Sequence, residues 1–130
     1  MTPEEIIIAD YKTNHIGRSY SAQNAHEVFR RYVATGGLHY IFGKTMFLFH
    51  AVDEDTAEFH SINGGTSVDL VEGVNHLLHT LSKHFKKAVT YYDNPKVSGL
   101  AVQAHYPHSI LKVDGGTDKT YELTFYLRGA

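Results

Sequence analysis

At 130 residues, 42% hydrophobic and 20% charged, the chain has the composition of an ordinary globular protein and the length for one domain, residues 1–130, with a real core. Its 12 basic and 14 acidic residues leave a formal charge of −2 and it has no cysteine, so nucleic acid is not an expected partner, and disulfides, thiolate nucleophiles and cysteine-held metals are excluded. No apolar run approaches a membrane span, and the start MTPEEIIIAD has neither a basic opening nor a long apolar stretch; no membrane partner and no secretory signal are expected, and a cytoplasmic location follows as the default.

In chain order, Thr2, Pro3, Glu4 and Glu5 make a helix start: a capping hydroxyl, proline in the first turn, then acids suited to the helix dipole. The β-branched Ile6, Ile7 and Ile8 weaken that helix. Asn14 to Asn24 is polar and aperiodic and reads as loop. A second helix is expected over Ser21 to Ala34, with Ala25, Val28, Phe29, Tyr32 and Val33 at helical spacing, ended by Gly36-Gly37. Leu38 to Lys44, Met46 to Val52 and Ala57 to Ile62 read as three strands of an antiparallel meander, with turns at Gly43-Lys44 and Asp53-Glu54-Asp55. Thr66 and Asp69 have capping-box spacing ahead of the strongest element. There Leu70, Val74, Leu77, Leu78, Leu81 and Phe85 form one apolar stripe, with Lys83, Lys86 and Lys87 near the negative end. Ala88 to Tyr92 is a strand. Asn94-Pro95 starts a shorter helix carrying Val97, Leu100, Ala101 and Ala104 and stopped by Pro107. Ile110 to Val113 and the alternating Tyr121 to Leu127 are strands joined by a loop rich in Gly and Asp.

Two helices, a three-strand meander, a long helix, a strand, a shorter helix and a closing hairpin: this order resembles the GNAT N-acetyltransferase superfamily, without the strand that precedes the first helices there. The resemblance implies an α/β (α+β) fold with a mixed, mostly antiparallel sheet flanked by helices. It also implies a glycine-rich loop, Arg or Gln, two residues, Gly, any residue, Gly or Ala, whose amides receive the pyrophosphate of acetyl-CoA. Aligned on Gly64, this chain has Ser61 at the Arg or Gln position and Thr66 at the last one. Gly64, Gly65 and Thr66 are the cofactor-binding candidates, with Asn94 beside the pantetheine arm; the plainer account of the glycines is a strand-to-helix turn. In the shorter helix Asn94, Val97 and Leu100 follow the family's pattern, but the tyrosine that often protonates the leaving thiolate is Ala101, and a methyl group transfers no proton. Glu58 and His60, on the same side of the third strand, are the general-base candidates; the alternative for them is a solvated sheet face.

These departures favour a catalytically degenerate GNAT-like protein without cofactor. It would serve as an assembly or protein-binding component with a protein partner or as a homo-oligomer, of the kind encoded by tailed bacteriophages and then associated with the virion. The alternative is an acyl-CoA-dependent N-acetyltransferase acting on an amine. A gap between the Ala57–Ile62 and Ala88–Tyr92 strands would admit a pantetheine arm in the enzyme, whereas a side chain would plug it in a scaffold.

Of the ten histidines, His76 and His79 are three apart on the long helix and His50 and His60 face each other if the hairpin register allows. No pattern such as HExxH supplies a third ligand, so no metal is expected and surface imidazoles are the simpler account, with pH-dependent assembly as a consequence of their number. Phe47, Phe49, Phe59, Phe85 and Phe125 are assigned to the core. Tyr91, Tyr92, Tyr106 and Tyr126 are expected to be partly exposed, as suits a protein interface.

Overall fold

In the computed structural model residues 1–14, 22–92, 96–115 and 118–128 are described. Helices α1 (Pro3–Asn14) and α2 (Ala22–Ala34) precede strands β1 (Leu38–Phe42), β2 (Thr45–Ala51) and β3 (Thr56–Asn63). Then come helix α3 (Ser67–Leu81), strand β4 (Lys87–Tyr92), helix α4 (Lys96–Ala101) and the hairpin β5 (His108–Gly115) and β6 (Asp118–Tyr126). One six-stranded sheet runs in the order β1-β2-β3-β4-β6-β5. Every pairing is antiparallel except β3 with β4, because α3 is the crossover that returns the chain parallel to β3. Among the described residues no strand precedes α1. The expected loop beginning at Asn14, the Ser21 start of α2 and the Asn94-Pro95 start of α4 fall largely or wholly outside the described residues.

Alternation along the strands sorts the side chains onto two faces. On one, Phe47, Ala57, Phe59, Ala88, Leu123 and Phe125 pack beneath Leu77, Leu78 and Leu81 of α3 and Ala101 of α4. On the other, Ile6 and Ile7 of α1 and Phe29 of α2 close over Met46. The weak β-branched run of α1 is therefore held by tertiary burial, helped by a reciprocal cap in which the Glu5 amide donates to Thr2 Oγ1 and the Thr2 amide to Glu5 Oε1. Phe47, Phe59 and Phe125 are fully buried core, while Phe49 and Phe85 pack at its margin.

The apolar face read on α2 is only partly used. Phe29 is buried against His39 at 5.5 Å, and Tyr32 donates its hydroxyl to the Phe49 carbonyl at 2.7 Å, but Val28 and Val33 are exposed. This helix covers only the β1–β2 end of the sheet. It ends in a Schellman motif: the Gly37 amide donates to Tyr32 O and that of Gly36, at φ 88°, to Val33 O. Gly36→Ala, which puts a β-carbon on that left-handed residue, is expected to cost about 1–2 kcal/mol, read as a lower denaturant midpoint at unchanged slope. The fourth helix stops at Ala101, short of Pro107. Its last turn tightens into three-residue bonds, Gln103 N to Leu100 O and Ala104 N to Ala101 O, and the Asn75 side chain then takes the His105 amide at 2.8 Å.

The hairpin register sets Leu48 opposite His60 and His50 opposite Glu58. The two imidazoles thus do not face each other; they lie on a diagonal with Glu58 between them. Among the described residues no helix is long and apolar enough to cross a membrane.

Candidate functional site

The parallel seam of the sheet is short. Thr56, Ala57 and Glu58 pair with Lys87, Ala88 and Val89. Beyond them, among the described residues, β3 continues to Asn63 paired with β2 alone, and β4 to Tyr92 paired with β6 alone. The main-chain edges of Phe59–Asn63 and Thr90–Tyr92 therefore diverge as a wedge. Over it lie α3, through Leu70 and Val74, and α4, through Leu100 and Ala101. Phe59 and Phe125 form the sheet side. They line a half-open apolar cavity of about 60 Å³. At roughly 10–15 Å³ for each water-sized guest, it holds several methyl-sized groups. A gap between the two strands is thus present, and among the described residues its walls include the side chains just named. Among the described residues the hydroxyls on its wall are Ser61 and Thr90, neither of which is acidic enough to serve as a proton donor at neutral pH.

The strand-to-helix loop at the mouth of the wedge is organised by Asn63. Its Oδ1 accepts from Thr45 Oγ1 and the Gly65 amide, both at 3.0 Å, and its Nδ2 donates to the carbonyls of Gly65 and Thr66. The Gly64 amide donates to Lys44 O at 2.8 Å. Thr66 caps α3: its Oγ1 accepts from the Asp69 amide, while Asp69 Oδ2 accepts from the Thr66 amide at 2.7 Å and from Thr66 Oγ1 at 2.9 Å. A β-carbon on Gly65 would overlap the Asp69 carboxylate. The positive end of the helix is thus already met by an anion, and that anion belongs to the chain.

The hydrogen bonds from Thr66 lower the Asp69 pKa below its ordinary 3.8, with Lys44 adding a smaller attraction. Because the native value is the depressed one, Asp69 stabilises the fold above the unfolded-state pKa, and the contribution disappears as pH falls through the native value. Asp69→Asn is accordingly expected to lower the melting temperature at pH 7, and the gap from wild type should close in acid below the ordinary carboxylate range. A pH-independent gap would show that packing rather than charge is what the side chain supplies.

Glu58 stands where the seam ends, on the face opposite the cavity. Its Oε2 lies 3.2 Å from His50 Nε2 and 3.5 Å from His60 Nε2, so the structure unites the two base candidates with a third residue. Thr56, Lys87, Val89, Tyr91 and Glu122 extend the same open face. Burial, then the neighbouring Glu122 carboxylate, push the Tyr91 phenol above its usual range. Asn94 lies outside the described residues. His76 accepts or donates at 2.6 Å with Tyr40 Oη and stacks on Phe42 at 4.2 Å. Among the described residues no group of three or more histidines and acids could hold a metal.

No family model matches this sequence, and no curated protein does. Solved structures do match. A mutant form of spermidine N-acetyltransferase SpeG from Vibrio cholerae superposes with a TM-score of 0.61 at 12% identity, over 98% of this chain and 92% of that one. The ribosomal-protein-S18-alanine N-acetyltransferase of Escherichia coli gives 0.59 at 13%, over 95% and 89%. The Campylobacter jejuni N-acetyltransferase PseH in complex with acetyl coenzyme A gives 0.55 at 15%, over 97% and 92%.

The chain has the GNAT N-acetyltransferase fold.

The resemblance leads to the expectation of a pantetheine arm in the wedge between β3 and β4, and the two ends of an acyl-CoA would fare differently there. The apolar cavity suits an acyl group. The diphosphate end does not fit: the amides of Gly64, Gly65 and Thr66 are bonded to Lys44 O, Asn63 Oδ1 and Asp69 Oδ2, and the Asp69 carboxylate would repel a phosphate. The capping spacing of Thr66 and Asp69 was visible in the sequence. That the cap takes the amides the cofactor would need was not, and neither were the roles of Asn63 and His50. A polar residue immediately before a Gly-Gly turn, able to fold back as an Asx-type acceptor, is the signal that could have pointed to Asn63.

Proposed function

We propose that this GNAT-fold chain is a protein-binding or assembly component that does not transfer acetyl groups, with another protein or further copies of itself as partner. The observation that carries this is the self-occupied loop, in which Asp69 takes the place a cofactor diphosphate would need. Ala101 and the hydroxyls of Ser61 and Thr90 on the cavity wall support it, because none provides an acid for a leaving thiolate. A place in a bacteriophage particle is the finer form of this proposal and rests on the sequence resemblance.

A second reading, an acyl-CoA-dependent N-acetyltransferase, is favoured by the open wedge and its apolar cavity. The matched structures are N-acetyltransferases, one of them with acetyl coenzyme A. Under that reading Glu58, braced by His50 and His60, would hold the acceptor's proton. The two are separated by thiol release from acetyl-CoA in the presence of polyamine and peptide N-terminal amines. The proposal expects no rate above the protein-free background. Turnover that Glu58→Gln lowers by about a hundredfold, the scale of a lost general base, would establish the enzyme instead.

A further inference from the structure

β5 is the last strand in the sheet order, and among the described residues nothing pairs with its outer edge. The Tyr126 amide donates to Pro107 O at 2.9 Å, which fixes the phase of the ladder. Followed along the register, Ser109, Leu111 and Val113 bond inward to β6, while His108, Ile110, Lys112 and Asp114 turn their amides and carbonyls outward. The register runs without a bulge from His108 to Gly115, so the edge is a regular template for one more strand. It is also apolar. Ile110, Leu111 and Val113 are exposed, and Leu111, at 62%, is the most exposed apolar side chain on any described strand.

We infer that β5 pairs antiparallel with β5 of a second copy of this chain, about a two-fold axis at Leu111, joining the two sheets into one. This rests on the assembly reading above and names its partner. The strand itself sets the register. Centred on Leu111, it pairs Ile110 of one copy with Lys112 of the other, and His108 with Asp114. These are the residues whose main-chain groups point outward, so each pair exchanges both hydrogen bonds. Basic and acidic residue types then stand opposite at 108 and 114, and Lys112 meets an isoleucine. A lysine on an edge strand guards against pairing, and in a register centred on residue 112 it would do so, lysine facing lysine. Centred on residue 110 the overlap shrinks to residues 108–112 and sets histidine against lysine. Leu111 bonds inward, so it meets its own copy at a non-hydrogen-bonded position, where side chains come closest. The most exposed apolar group of the sheet is thereby the one that is covered.

The chain has no cysteine, so a single introduced thiol reads the register. Across the axis the Cα atoms at position 111 would lie about 4.5 Å apart, within the span of a disulfide. Residue 109 stands opposite 113 and out of reach of its own copy. The expected results are a wild-type dimer by sedimentation at about 100 μM, well above a micromolar dissociation constant, and, under mild oxidation, a disulfide-linked dimer of Leu111→Cys but not of Ser109→Cys. Leu111→Glu, which sets carboxylate against carboxylate, should weaken association by about tenfold or more. Its urea midpoint in dilute protein should be unchanged, since the side chain is exposed in the single copy. A wild-type monomer at that concentration would overturn the inference and leave the non-catalytic reading standing; that reading fails by a different sign, thiol release from acetyl-CoA. A dimer that Leu111→Glu leaves intact, or cross-linking no faster at 111 than at 109, would overturn it by placing the interface elsewhere.

Discussion

Phe47→Ala is expected to remove about 3–5 kcal/mol of stability, much of what holds a domain of this size folded. Phe47 is fully buried in the centre of β2 and meets Phe59 edge-on at 6.3 Å. Phe59 in turn stacks on Phe125 at 6.4 Å, so one ring links the meander to the C-terminal hairpin. Above it α3 carries Gly73, where a β-carbon would lie 3.1 Å from the ring. The helix has given up a side chain at that position so that its backbone can rest on Phe47. That explains a glycine in a helix interior, which by itself disfavours the helix by about 1 kcal/mol. Alanine at 47 leaves a cavity that the neighbouring sheet and helix, both fixed by their other contacts, close only in part. Urea unfolding measures it: the midpoint should fall steeply at constant slope, while Val28→Ala, 63% exposed on α2, should stay within about 0.5 kcal/mol of wild type. A loss below about 1 kcal/mol at position 47 would mean that the aromatic core is not what joins the two halves of the sheet.

The same residues show what the sequence could tell. Elements with an intrinsic period were legible: the apolar stripe of α3 and the alternation of β6 each point to one buried face, and burial is what the fold supplies. Turn chemistry was equally direct at Gly36-Gly37 and at the Thr66–Asp69 cap, because both depend on residues a few positions apart. The exposure of Val28 and Val33 was not legible, since helical spacing identifies a possible apolar face and not how much sheet lies beneath it. The His50–Glu58–His60 arrangement needed the hairpin register, which shifts by one residue without any change in composition. The wedge is a property of where two strands stop pairing, and no local pattern encodes that. At the candidate site the missing phenol at Ala101 could be read from the sequence. The decisive feature, amides already consumed by Lys44, Asn63 and Asp69, is made of contacts between three segments and emerges only on folding.

That feature has a gain-of-function consequence. Asp69→Ala removes the carboxylate, frees the Thr66 amide and opens the space next to Gly65. Acetyl-CoA affinity should rise by about tenfold over wild type, ~1.4 kcal/mol, within the range for removing one charge from an anion's path and returning one donor to it. The gain should come with a less stable α3, because the cap is lost with the charge. Calorimetric titration of the wild-type protein with acetyl-CoA tests the account most directly. It predicts no saturable heat up to about 1 mM, the affinity corresponding to only ~4 kcal/mol. A saturable isotherm in the micromolar range, unchanged or weakened by Asp69→Ala, would contradict it, by showing that the loop receives the cofactor despite its internal bonds.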